Sequence, residues 1–88
     1  MPLRHSPAPP TLAENGDVLF TMLAADDRPI ACEADADYLI ALAPTNEGTD
    51  TMRIFGEMRD TVELTASEQY DLHGPDERGV VRLAPLIF

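Results

Sequence analysis

Lysine and tryptophan are missing from this sequence, and cysteine occurs once. Six arginines stand against sixteen Asp and Glu, so the formal net charge is −10. A field of that sign repels nucleic acid and anionic membranes and favours basic partners or metal cations. The lone Cys32 excludes an intramolecular disulfide framework. Three Phe and two Tyr supply little aromatic mass for a core. A chain of 88 residues then folds as one domain of marginal stability, to which a partner or a second copy can contribute. No apolar run approaches the ~20 residues of a membrane span. The N-terminus lacks the apolar segment of a signal peptide. The expected location is cytoplasmic.

Catalytic and metal patterns are equally sparse. Asp26-Asp27, Asp35-Ala36-Asp37 and Asp76-Glu77 gather carboxylates. None lies in the dozen-residue loop with a turning glycine that calcium requires. One Cys and two His are too few for a zinc site. There is no glycine-rich phosphate loop, no nucleophile triad pattern and no basic-aromatic surface. Cys32 has the residue type of a nucleophile and His73 that of its base, but no spacing links them. On an apolar strand face Cys32 reads as a small buried hydrophobe. Beside Gly74-Pro75, His73 reads as a helix C-terminal residue near the last carbonyls. The expectation is a protein that is not an enzyme and has no cofactor and no metal.

The organising stretch runs from Thr49 to Asp71. Met52, Phe55, Met58, Val62, Ala66 and Tyr70 recur at steps of three and four, which predicts one long helix with a single apolar stripe. Thr49 or Asp50 offers the N-cap and His73-Gly74-Pro75 the stop. Before it, residues 1–16 read as a flexible Pro-rich tail, with Pro2, Pro7, Pro9 and Pro10 interrupting any ladder. Asp17 to Leu23 predicts a strand apolar on both faces, and Pro29 to Glu33 a second, joined as a hairpin by 24–28. A short helix is expected from Asp35 to Ala43, capped by Asp35 and closed by Pro44. Gly79 to Ala84 reads as a third strand. Leu86, Ile87 and Phe88 then form an apolar end, expected to dock on the core or on a second copy. The fold class expected is α+β: a small three-stranded antiparallel sheet in the order β-β-α-α-β, covered on one face by the long helix. Residues 17–88 make the single domain.

In that succession the chain resembles a short bacterial family, the domain of unknown function 1488. The likeness runs from VLFTM through RPIAC, ADYLIAL and IFGEMRDTVELTASEQYD to GVVRLAP, with Phe55, Arg59, Val62, Ala66 and Tyr70 fitting the long-helix pattern. The resemblance implies the β-β-α-α-β layout and no activity.

Two features of the long helix invite a functional reading. Arg59 falls inside the apolar stripe, where a guanidinium needs a carboxylate or a route to water. The expectation is a structural ion pair with Glu33, Asp35 or Asp37, against the alternative of an anion binder. On the outward face, Asp50, Glu57, Asp60, Glu63, Glu68 and Asp71 accumulate as a candidate interaction surface. The expected function is non-catalytic binding of a protein partner with a basic surface. Its sharper form is a nucleic-acid mimic inhibiting a DNA- or RNA-binding protein, as anti-CRISPR and anti-restriction proteins do. The alternative is a structural homodimer, joined through Leu86, Ile87 and Phe88 or through the first strand.

Overall fold

The computed structural model describes residues 3–42 and 50–84. Pro2, Ala43, the Pro44 stop, Thr49 and the docking of Leu86, Ile87 and Phe88 lie outside them. Side-chain alternation decides the central hairpin. Strand β3 (Val18–Leu23) buries Val18, Phe20 and Met22 and turns Leu19, Thr21 and Leu23 the other way. Strand β4 (Pro29–Ala34) does the same with Ile30, Cys32 and Ala34. The two pair antiparallel from Val18↔Ala34 to Leu23↔Pro29. In the connecting turn Asp27 takes a φ of 63°, a left-handed setting that Asp tolerates better than most side chains.

Helix α1 (Ala36–Leu42) follows directly, with Asp35 Oδ1 accepting the Asp37 N–H at 2.8 Å and Leu39 fully buried. The long helix is in fact two. Helices α2 (Thr51–Glu57) and α3 (Arg59–His73) meet at Met58, which sits at φ −106° and ψ 18°. Gly56 lies just before the break, and glycine weakens a helix by about 1 kcal/mol relative to alanine. Helix α2 buries Thr51, Ile54 and Phe55, and α3 buries Val62, Ala66 and Ser67. The break lets α2 pack on α1 and β3 while α3 packs on the N-terminal strand β1 (Arg4–His5) and on β5 (Val80–Leu83). The expected stop holds: Gly74 takes a φ of 70°, and its N–H donates to the Tyr70 carbonyl at 2.9 Å.

Strand β5 runs parallel to β4, from Ala31↔Val80 to Ala34↔Leu83. This corrects the three-stranded antiparallel sheet. Residues 35–79 separate the two strands, far more than the dozen or so a parallel crossover needs, so no short turn forces them antiparallel. The sheet gains strands from the other side as well. The supposed flexible tail contributes β1 (Arg4–His5) and β2 (Thr11–Leu12), both antiparallel to β3. Five residues separate His5 from Thr11, but only Phe20 and Thr21 separate their partners Met22 and Leu19. Residues 6–10 therefore bulge outward, and Pro7, Pro9 and Pro10 fall where no ladder N–H is demanded. Leu3 is buried, and its N–H donates to Ser67 Oγ at 2.9 Å. Ladder bonds and an apolar anchor are what order this segment.

The result is an α+β domain with a mixed five-stranded sheet in the order β1-β3-β4-β5, β2 lying beside β1 on the edge of β3. The helices cover one face, where Phe20 and Phe55 pack with ring centroids 5.0 Å apart. Among the described residues no helix covers the other.

Candidate interaction surface

The six carboxylates expected on one rod are distributed over three situations. Asp50 caps α2, its Oδ1 accepting the Arg53 N–H at 3.2 Å. Glu57 faces Arg53 one turn earlier, Nε to Oε1 at 3.4 Å. Both belong to the shorter helix, α2. Glu63 is turned inward and largely shielded. Only Asp60, Glu68 and Asp71 remain exposed together on the outer side of α3.

Those three share that side with two large apolar residues that the sequence reading left out. Leu64 is 61% and Leu72 77% exposed. Eight residues apart, they stand about 12 Å from each other along the helix, with Glu68 midway. From Asp60 to Leu72 the helix contains no Lys, Arg or His. The face is thus an acidic ridge with two leucines set in it. A signal was present in the sequence. Leu64 and Leu72 fall off the stripe defined by Val62, Ala66 and Tyr70, and a leucine off the stripe is an exposed leucine.

Arg59 does make an ion pair, but not with the expected partners. Its Nε donates to Glu63 Oε2 at 3.0 Å, one turn along the same helix. Its guanidinium carbon lies 5.4 Å from the Phe55 ring centroid, and NH2 donates to the Ser6 carbonyl at 3.4 Å. His5 Nδ1 approaches the same Glu63 oxygen at 2.7 Å. Arg59 and Glu63 therefore clasp the N-terminal edge strand onto α3.

Glu33 and Asp35 are engaged by Arg82 instead. Arg82 NH1 contacts Glu33 Oε1 and lies 3.3 Å from Asp17 Oδ2, while NH2 contacts Asp35 Oδ2. Asp37 is exposed on α1. Asp17, 4% exposed, is the most buried of the three carboxylates. Its Oδ1 accepts the Ala36 N–H at the start of α1 at 2.9 Å, and Asn15 donates to Oδ2 at 3.2 Å. Burial opposes ionisation of Asp17, but the Ala36 N–H and the Arg82 guanidinium outweigh it and hold its pKa below the ordinary value. Burial likewise works against charge on Arg82, and its three carboxylates more than restore it. Sequence reasoning missed Arg82 because Glu33 and Arg82 become cross-strand neighbours only in the parallel register.

Burial pushes the Cys32 thiol up to about 12, with the Glu63 charge adding to the effect, so it is a protonated core residue at neutral pH. His73 is exposed at the end of α3. Among the described residues no group of three or more His, Cys, Asp or Glu is placed to hold a metal ion, and no helix is long and apolar enough to cross a membrane. Comparison with protein-family models, curated proteins and solved structures finds no match.

Proposed function

We propose that the protein acts by binding, without catalysis, and that the outer side of α3 receives a basic protein partner. The observation that carries this is the joint exposure of Asp60, Glu68 and Asp71 with Leu64 and Leu72 on one side of a helix whose residues 60–72 include no Lys, Arg or His. A ridge of this kind fits a partner that offers arginines or lysines around an apolar contact: the charges steer and the leucines anchor. The general form of the reading, a basic protein partner, is favoured over nucleic-acid mimicry. A phosphate-like array needs carboxylates spaced along one rod. Here Asp50 and Glu57 lie on a different helix, and Glu63 is bound by Arg59 and His5.

The test is affinity capture with the full chain, eluted in rising salt, alongside two variants. One carries Asp60→Asn, Glu68→Gln and Asp71→Asn; the other carries Leu64→Ser and Leu72→Ser. The expected result is a basic protein released steeply by salt from the wild type and lost by both variants. Retention by both, or no partner on the wild type, would overturn the reading.

A further inference from the structure

The turn between β2 and β3 holds a reactive pair of residues. Asn15 is followed by Gly16, whereas Asn46 is followed by Glu47. Asparagine is among the thermolabile residues, and a glycine after it removes the Cβ that would keep the next backbone nitrogen away from the amide. We propose that Asn15 is a site of spontaneous covalent modification, converted from amide to acid by the Gly16 backbone nitrogen, and that the new carboxyl group loosens the network around Asp17. The fold itself keeps the glycine in place. Gly16 takes a φ of 92°, and a Cβ there would lie 3.4 Å from the Ala36 Cβ, so another residue at 16 is strained.

The reaction needs no co-reactant but water. The Gly16 nitrogen gives up its proton and bonds to Asn15 Cγ, the Cγ–Nδ2 bond breaks, and ammonia leaves with a proton. Water then opens the cyclic imide. Cleavage at the side-chain carbonyl gives aspartate, and cleavage at the backbone carbonyl gives isoaspartate. Asn15 is exposed, so water and base reach it. Its Oδ1 already accepts the Asp17 N–H at 3.0 Å, a donor set on the oxygen where negative charge develops as the ring closes. The attacking nitrogen is restrained by the bond from the Gly16 N–H to the Ala13 carbonyl, at 3.0 Å. That bond lies in a surface turn, which opens locally at far less cost than the sheet it joins.

Asn15 Nδ2 donates to Asp17 Oδ2 at 3.2 Å, and the same oxygen lies 3.3 Å from Arg82 NH1. Conversion to the acid replaces that donor by a second negative charge beside a carboxylate shielded from water, where like charges repel strongly. Arg82 also meets Glu33 and Asp35, so its charge is already shared before the new carboxylate arrives. The isoaspartyl product adds a carbon to the backbone within the turn. It works against the Gly16 bond and against the Ala13 N–H, which donates to the Asp17 carbonyl at 2.8 Å. Because Asp17 Oδ1 accepts the Ala36 N–H, a disturbance at residue 15 reaches the start of α1 as well as the start of β3.

Incubation of the full chain at mildly alkaline pH, beside the same chain held unfolded in urea, tests this by peptide mapping and mass spectrometry. The folded chain is expected to lose ammonia at residue 15, with aspartate and isoaspartate both present. It should do so more slowly than the unfolded chain, and faster as pH rises. Asn15→Gln, whose side chain can close only a larger ring, should keep its amide. The aged form, separated by anion exchange on its added charge, should melt about 4–8 °C below the fresh chain at neutral pH. Asn15→Asp, checked for folding by far-UV circular dichroism, should show a shift of the same sign and size. An intact amide in the folded chain after the urea-held chain has converted overturns the proposal. So does conversion that continues in Asn15→Gln, or an Asn15→Asp chain that melts with the wild type.

Discussion

Arg82 and Arg59 are both partly buried arginines in contact with carboxylates, yet they do different work. Arg82 reaches Asp17, Glu33 and Asp35, partners 47 to 65 residues away that come from β4 and from the starts of β3 and α1. Arg59 reaches Glu63, four residues away on its own helix, and touches the N-terminal segment only through the Ser6 carbonyl. The first network welds the crossover: it holds β5 beside β4 and fixes the entry to α1. The second fastens an edge strand. Removing an arginine from the first leaves the shielded Asp17 carboxylate without its counter-charge; removing one from the second leaves a carboxylate that still has His5. Long-range networks bear on the whole fold, local ones on a margin of it.

That contrast is open to measurement. The largest effect is expected from Arg82→Met, which keeps the packing of the stem and removes the charge. About 3 kcal/mol should be lost in urea unfolding, towards the lower end for a broken buried ion pair because the side chain is 36% exposed. A loss below about 1 kcal/mol would reduce this network to an ordinary surface cluster. A smaller effect is expected in the acid limb of stability. Because the folded pKa of Asp17 lies below its ordinary value of 3.8, its contribution is complete above 3.8 and lost as pH falls through the lowered folded value. Asp76 shifts the same way, chiefly through the Val80 N–H. Asp17→Asn should therefore lower stability at neutral pH and flatten the decline below pH 3.8, as followed by thermal melts across acid pH. The smallest effect belongs to the clasp. Glu63→Gln should cost about 0.5–1 kcal/mol, and hydrogen exchange should quicken at residues 3–6 and leave β4 and β5 unchanged. Acceleration in β5 instead would join the two networks into one.

How far each of these was readable follows from the range of the contacts involved. The hairpin, the start of α1 and the end of α3 rest on neighbours in sequence: alternation in VLFTML, the Asp35 cap, the glycine at 74. All of these were legible. So was an ion pair for Arg59, since a guanidinium in an apolar stripe must find an anion; its identity was not, because Glu63 one turn away competed with three acidic residues elsewhere. The tail was misread on composition. Pro7, Pro9 and Pro10 do block a ladder, but they fall in the bulge, and Leu3 together with two short pairs of ladder residues was too slight a signal against them. The break at Met58 left only Gly56 as a trace, and the continuous three-four spacing masked it. Of the six carboxylates, Asp60, Glu68 and Asp71 are exposed on α3, Asp50 and Glu57 are exposed on α2, and Glu63 is shielded, which only its contact with the N-terminal segment decides.

By itself, then, the sequence determined the class of fold, the charge, the location of the central hairpin and the absence of motifs for common catalytic chemistry, because these depend on composition and on periods of two and 3.6 residues. Strand direction, the break between α2 and α3 and the choice of Arg82 as the hub were decided by the tertiary structure. Each depends on which distant surfaces meet, and an apolar strand looks the same in sequence whether it runs parallel or antiparallel to its neighbour.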